Sequence, residues 1–227
     1  VDYDKILATI DAQTKFNNTD MAMTVTVVSE KPGEDKSVMK ATMFRRDSDD
    51  SFLMIIDQPA VDNGKAYLKS GDFTWMFDPK TKQTSSIKLS EKFQNTNADN
   101  GDFDASSLAE DYKVAKGEEV MLGKLEAYKL TLEARNNNVT YPKMELWVSK
   151  DKLLAQKQID YAKSGRPSRI FVYQNWVKVQ GHWLPKVQYI IDQITVGEKT
   201  QVNIENPSFS KISDEKFNKS YLEMISE

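Results

Sequence analysis

Residues 21–57 set the pattern of the chain: short runs in which apolar and polar side chains alternate, separated by turn formers. Alternation predicts a strand over 21–29, with Met21, Met23, Val25 and Val27 on one face and Ala22, Thr24, Thr26 and Val28 on the other. A second strand over 37–46 places Met39, Ala41 and Met43 on one side. The third, over 52–57, is apolar on both faces and must therefore be covered on both. Lys31-Pro32-Gly33-Glu34 and Asp47-Ser48-Asp49-Asp50 are the turns between them, short enough to make antiparallel hairpins.

The pattern continues along the chain. Runs over 65–69, 73–77 and 84–89, bounded by Ser70-Gly71-Asp72 and Asp78-Pro79-Lys80, predict a meander. Residues 94–102 are polar and rich in Asn and Asp, and a short helix is predicted around 105–112. Further strands are predicted over 113–121, 124–134, 143–149, 153–161, 168–179, 184–195 and 200–206. In 124–134, Tyr128, Leu130 and Leu132 oppose Lys129, Thr131 and Glu133, so that face is wet. Helices flank the strands. Residues 2–16 carry Ile6, Leu7, Ile10 and Thr14 at helical spacing behind Asp2 or Asp4, and Ser213 caps a helix running through Met224 with Phe217, Tyr221, Leu222 and Ile225 on one face. Short, regularly spaced strands imply a sandwich or barrel, and no linker or internal repeat divides residues 1–227, so one domain is expected.

Composition narrows the partners. Thirty-one Lys and Arg against 34 Asp and Glu give a net charge of −3 with both signs interspersed, which offers no footprint for nucleic acid. No run approaches the roughly 18 apolar residues of a membrane span. The chain has no Cys, so disulfides and thiolate metal sites are excluded. Six of the nine Met fall at 21, 23, 39, 43, 54 and 76, in or beside predicted strands. Met fills gaps in cores, and it also lines surfaces that adapt to varied apolar shapes.

Candidate chemistry is sparse. His182, the only His, lies in a predicted turn with no nucleophile elbow to serve. The three Ser-x-x-Lys matches, at Ser85/Lys88, Ser149/Lys152 and Ser213/Lys216, lack their companion motifs. Asn95, Asn97, Asp99, Asp102 and Asp104 place oxygens at near-alternate positions, as a hard cation requires. Counted from Asn95, however, Gly101 is one place late for an EF-hand and Ser106 stands where the bidentate Glu belongs. A solvated loop is expected there, with no metal, cofactor or catalytic residue.

Gly64, Lys65, Leu68, Lys69, Trp75, Met76, Phe77 and Pro79, followed by Asn100-Gly101-Asp102-Phe103, resemble the outer-membrane lipoprotein-sorting proteins of the LolA/LolB-like superfamily. The family's Gly-Ser-Asp-Phe segment lacks its Ser here. The resemblance extends through residues 144–176, Gly181-His182-Trp183-Leu184-Pro185 and the terminal Ser213-Asp214 helix. It implies a mainly β fold, an antiparallel incomplete β-barrel whose concave face is covered by the N-terminal, mid-chain and C-terminal helices. It also implies a monomeric, non-enzymatic carrier in the periplasm that holds acyl chains of a lipoprotein or another lipid and meets a membrane-associated envelope partner. An export signal or a lipid-bearing tether would then lie upstream of Val1. The expected lining is Met21, Met23, Val25, Met39, Ala41, Met43, Met54, Ile56, Leu68 and Trp75, with Leu108 and Tyr112 on a short lid helix. Two other readings stay open: a lipid hydrolase using the 99–104 loop and His182, with or without a metal, and an envelope protein whose interior is filled.

Overall fold

The structure, a computed structural model, describes residues 1–225. Among them are the strands β1 (Met21–Glu30), β2 (Ser37–Arg46), β3 (Ser51–Gln58), β4 (Ala66–Ser70), β5 (Phe73–Asp78), β6 (Gln83–Ser86), β7 (Tyr112–Leu122), β8 (Leu125–Ala134), β9 (Lys143–Ser149), β10 (Ala155–Tyr161), β11 (Pro167–Val179), β12 (His182–Asp192) and β13 (Lys199–Phe209). The α-helices are α1 (Tyr3–Thr14), α2 (Leu108–Asp111) and α3 (Lys219–Met224), and 3-10 turns lie at Asp47–Asp49, Asn100–Phe103 and Asp214–Phe217. The class is mainly β, an unclosed antiparallel sheet of thirteen strands with three short α-helices, as the incomplete-barrel expectation required. No helix among the described residues is long and apolar enough to cross a membrane. By its internal contacts the chain divides into two compact units.

The first unit comprises Val1–Lys15 and Ser106–Lys199, with strand order β12-β11-β10-β9-β8-β7. Its core joins Ile6, Leu7 and Ile10 of α1 to Leu130, Leu132, Leu146 and Val148 of the sheet. Asp2 caps α1, accepting from Lys5 N at 3.0 Å. Gly117 of β7 gives α1 its seat: a Cβ there would lie 2.4 Å from the Tyr3 ring, so only glycine lets the helix approach this closely. The Asp11 carboxylate accepts from Leu108 N at 3.1 Å, from Ala109 N at 2.7 Å and from the Ser106 hydroxyl, capping α2 from another helix. Below lies the buried Asp160–Arg169 pair at 2.7 Å, with the guanidinium 4.6 Å from the Tyr141 ring centroid and 4.7 Å from that of Phe171.

The second unit comprises Phe16–Ala105 and the chain from Thr200 onward, with strand order β6-β5-β4-β3-β2-β1-β13. Met23 lies opposite Met43, and Met43 opposite Met54, so the Met-bearing faces of β1, β2 and β3 are one face. On the other face, Leu53, Ala66, Leu68 and Phe77 pack around Leu222 of α3. Both sides of β3 are therefore covered, as its sequence demands.

Several boundaries differ from the sequence-based expectation. The terminal helix is broken at Asn218, whose extended backbone separates the turn Asp214–Phe217 from α3. Phe217 and Leu222 are five residues apart, about 140° on a continuous helix, and the break lets both be buried, at 3% and 0% exposure. The expected mid-chain helix shrinks to α2, and Tyr112 opens β7 instead, its hydroxyl donating to Tyr141 O at 2.8 Å. Strand β12 ends at Asp192 because its carboxylate accepts from Ile194 N and Thr195 N, both at 2.7 Å, and turns the chain.

Arg46 ties residues 212–217 to the sheet. Its guanidinium donates to both oxygens of Asp20 at 3.0 and 2.9 Å, to Asp214 at 2.7 Å and to Ile212 O at 2.7 Å, and lies 4.7 Å from the Phe217 ring centroid. Burial alone would raise the Asp20 carboxyl, but the Arg46 hydrogen bonds and charge, with Ile212 N–H, outweigh it and hold the group below its ordinary 3.8. A carboxyl lowered in the folded state adds stability that is complete above the unfolded value and is lost as pH falls through the folded one. Asp20→Ala is expected to cost about 3 kcal/mol near neutral pH, measured by denaturant unfolding. The difference from wild type should shrink as pH drops below the ordinary 3.8; a constant difference would show that the Asp20 charge is not what holds this segment.

Candidate ligand-binding site

The Met-bearing face of the second unit gathers eight of the residues expected to line a cavity. Met21, Met23, Val25, Ala41, Met43, Met54 and Ile56 are exposed by 4% or less, and Met39 is half-buried. Register extends this face to β4 and β5 through Tyr67, opposite Met54, and through Lys69, opposite both Phe52 and Thr74. Leu68 and Trp75 are therefore corrected. Leu68 pairs with Leu53 and with Trp75, which places both on the opposite face, against α3. Leu108 and Tyr112 belong to the first unit, where they pack on the cluster around Ile6, Leu7 and Ile10. Tyr112 is a strand residue there, so α2 carries only one of the two expected lid contacts.

The roof over the β3–β5 part of the Met face is the connection from β6 to α2, the polar stretch expected to be a solvated loop. It is packed instead: Asn97, Asp99 and Asn100 are only 4%, 3% and 4% exposed. Strand β6 ends at Ser86, three residues before the expected limit at Leu89, with one further bond to β5 from Ile87 N to Thr74 O at 3.0 Å. Leu89 O then accepts from Gly101 N at 2.9 Å, and a Cβ on Gly101 would stand 3.3 Å from Leu89, so this return needs a small residue. Two aromatic rings of this segment, those of Phe93 and Phe103, face the sheet. Phe93 packs edge-to-face on Tyr67 and on Phe103, with centroids 4.9 Å apart in each case.

Polar contacts hold the roof down. Thr200 Oγ1 accepts from Asn97 N at 2.9 Å and donates to Asn97 Oδ1 at 2.9 Å, while Ser29, on the Met face of β1, lies 3.2 Å away within hydrogen-bond reach. Lys69 pairs with Asp104 at 2.6 Å and donates to Asp50 O at 2.9 Å. Burial raises the Asp104 carboxyl, and Lys69 offsets only part of that. Lys92 pairs with Asp99 at 2.8 Å, and Asp102 accepts from Asp99 N at 2.7 Å. The carboxylates thus turn to lysines and backbone N–H groups rather than to a common point. No group of three or more His, Asp or Glu placed to hold a metal occurs among the described residues.

Between roof and sheet lies a narrow crevice lined by Phe52, Met54, Tyr67, Thr74, Phe93, Asn100 and Phe103, with no room for a water-sized sphere. Asn100 Nδ2 donates to Lys88 O at 3.0 Å, whereas its buried Oδ1 has no partner among the described residues. An orphaned buried acceptor costs about 1–3 kcal/mol. Phe93 escaped sequence reasoning, and Asn100 and Phe103 entered it only within the Asn100–Phe103 segment of the resemblance and not as lining residues, because two aromatics flanking an Asn/Asp-rich run carry no periodicity. In the first unit, His182 Nδ1 lies 3.2 Å from Ala12 O at the start of β12 rather than in a turn.

Three solved structures are similar to this chain over almost its whole length. A LolA superfamily protein from Nitrosomonas europaea has a TM-score of 0.83 at 23% identity, covering 97% of this chain and 99% of that one. An outer-membrane lipoprotein-sorting protein domain from Vibrio parahaemolyticus has a TM-score of 0.83 at 20% identity, covering 97% of each. A DUF1329 family protein from Desulfovibrio piger has a TM-score of 0.84 at 19% identity, covering 96% of this chain and 97% of that one. No curated protein matches the sequence. A family model described as an uncharacterized protein matches residues 48–224. The chain belongs to that family, and its fold is the LolA-like one seen in these structures.

Proposed function

We propose that this protein is an envelope carrier that binds the acyl chain of a lipoprotein or another lipid on the Met-bearing face of the second unit. The bound chain takes the place of the aromatic rings of the 87–104 segment. The observation that carries the reading is the construction of the roof: an adaptable apolar face covered by a segment whose far end is fastened through side-chain hydrogen bonds, at Asn97 and Thr200. The fold likeness supports it, since one of the similar structures is a lipoprotein-sorting domain. The same likeness supports a periplasmic placement.

Magnitudes favour exchange. Lifting Phe93 and Phe103 out of apolar contact costs about 1.5–3 kcal/mol each, and breaking the Asn97 and Lys69 contacts costs about 1 kcal/mol per bond. An acyl chain of fourteen or more carbons supplies about 0.8 kcal/mol per CH₂, on the order of 10 kcal/mol before the costs of association. The two sides are of the same order once the cost of association is included, so neither the closed nor the occupied state wins by much, which is what a carrier that must also release requires. Catalysis finds less support, because Asp99 and Asp104 are committed to Lys92 and Lys69. A filled scaffold is the competing reading, and the tightness of the crevice favours it.

Two experiments separate carrier from scaffold. The first uses Thr200→Val, which keeps the volume of β13 and removes the hydroxyl that holds Asn97. Peptides from 90–101 should then exchange amide hydrogens roughly tenfold faster, while peptides from β3 stay unchanged. Acceleration of both in step would mean that the roof opens only with the whole core. The second uses an environment-sensitive fluorophore with an acyl tail. It should bind the wild type one-to-one, be displaced by a diacylated lipopeptide, and bind Thr200→Val faster. No binding to either protein, with both folded, would leave the scaffold.

A further inference from the structure

We infer that the crevice under the 87–104 segment selects acyl chains joined through an amide, with Asn100 Oδ1 accepting the hydrogen bond of the ligand N–H. The inference rests on the carrier reading and names the chemical class of its ligand. Asn100 is 4% exposed and lines the crevice among Phe52, Met54, Phe93 and Phe103. Its bond from Nδ2 to Lys88 O fixes which end of the carboxamide is oxygen, and that oxygen is the one left without a partner. The other such atom among the described residues, Thr26 Oγ1, is on the opposite face of β1 from the Met residues.

Tyr67 supplies the complement. Its hydroxyl accepts from Gln94 Nε2, which leaves its own proton to give to a carbonyl. Burial pushes this phenol up to about 12, with the Asp62 charge adding to burial and the Gln94 contact opposing it, so the group stays a donor. One acceptor and one donor in an otherwise apolar lining match a secondary amide, which presents N–H and C=O together. An ester presents only the carbonyl, and an ionised fatty acid presents acceptors alone, turned toward a carbonyl oxygen that repels them. A site built around a ligand N–H rejects the analogue without it, because its own buried acceptor is then left unmet.

The test is displacement of the acyl-tailed fluorophore from the full chain by a matched pair, N-propyl hexadecanamide and propyl hexadecanoate, which differ only in N–H against oxygen. The amide is expected to bind roughly fivefold to tenfold more tightly, and palmitate more weakly than either. Asn100→Leu should bind both compounds and lose the preference between them. Equal affinities on the wild type, a comparison that needs no variant, would overturn the amide assignment and leave the carrier reading intact. So would a preference that survives Asn100→Leu. If no probe binds the wild type, the carrier reading fails and takes this inference with it. N-palmitoyl dipeptide against N-palmitoyl ethanolamine identifies the source: tighter binding of the first points to a lipopeptide, and of the second to an amide-linked lipid, each consistent with amide recognition.

Discussion

The second unit depends on one constraint, the burial of both faces of β3. Phe52, Leu53, Met54 and Ile56 are each exposed by 1% or less, so neither side of this strand can be left to water. One side is closed by the C-terminal segment, where Leu222 meets Leu53 and Leu68 and where Arg46 clamps residues 212–214. The other is closed by Phe93 and Phe103, carried on a segment with hardly any apolar residues of its own. The two covers differ in kind. The first is a continuous apolar contact backed by a buried ion-pair cluster, and the second is a pair of rings held in place by polar bonds around them.

That difference explains what could be read from sequence and what could not. Parity within β1, β2 and β3 was legible because Met and Val recur at every second position, and the registers Met23 to Met43 to Met54 bear it out. The placement of Leu68 was not. In β4 the only charged side chain is Lys69, and patterning alone reads a lysine as outward and its neighbours as inward. In the structure Lys69 is 8% exposed on the Met face, where Asp104 and the Asp50 carbonyl satisfy its ammonium. A lysine paired in a buried position inverts the rule that hydrophobicity supplies, and its partner lies 35 positions downstream, beyond the reach of any local pattern.

The roof was misread for a related reason. An Asn/Asp-rich run is solvated when its polar groups look to water, and is packed when they satisfy one another and the backbone. Here Asp102 meets Asp99 N–H, Asn97 meets Thr200, and Thr96 Oγ1 donates to Phe93 O at 2.7 Å. Composition is the same in either case. Only the hydrogen-bond accounting separates them, and it requires coordinates. The short helix α2, by contrast, is too small to be a cover: it is four residues long and is held by Asp11 of α1.

Why fasten a cover with a buried ion pair rather than more apolar contact? Buried pairs contribute little net stability, because desolvation consumes most of the attraction, and the Asp104 carboxyl shows this in being raised by burial despite the lysine beside it. What such a pair supplies is register: Lys69 is already bonded to Asp50 O, and the Asp104 carboxylate meets it only when residue 104 lies over β4, which favours one closed position. An apolar cover of equal area would hold more strongly and slide more easily. A carrier needs the opposite combination, a closed state that is well defined and cheap to leave. Weak polar fastening around two aromatic rings meets both requirements.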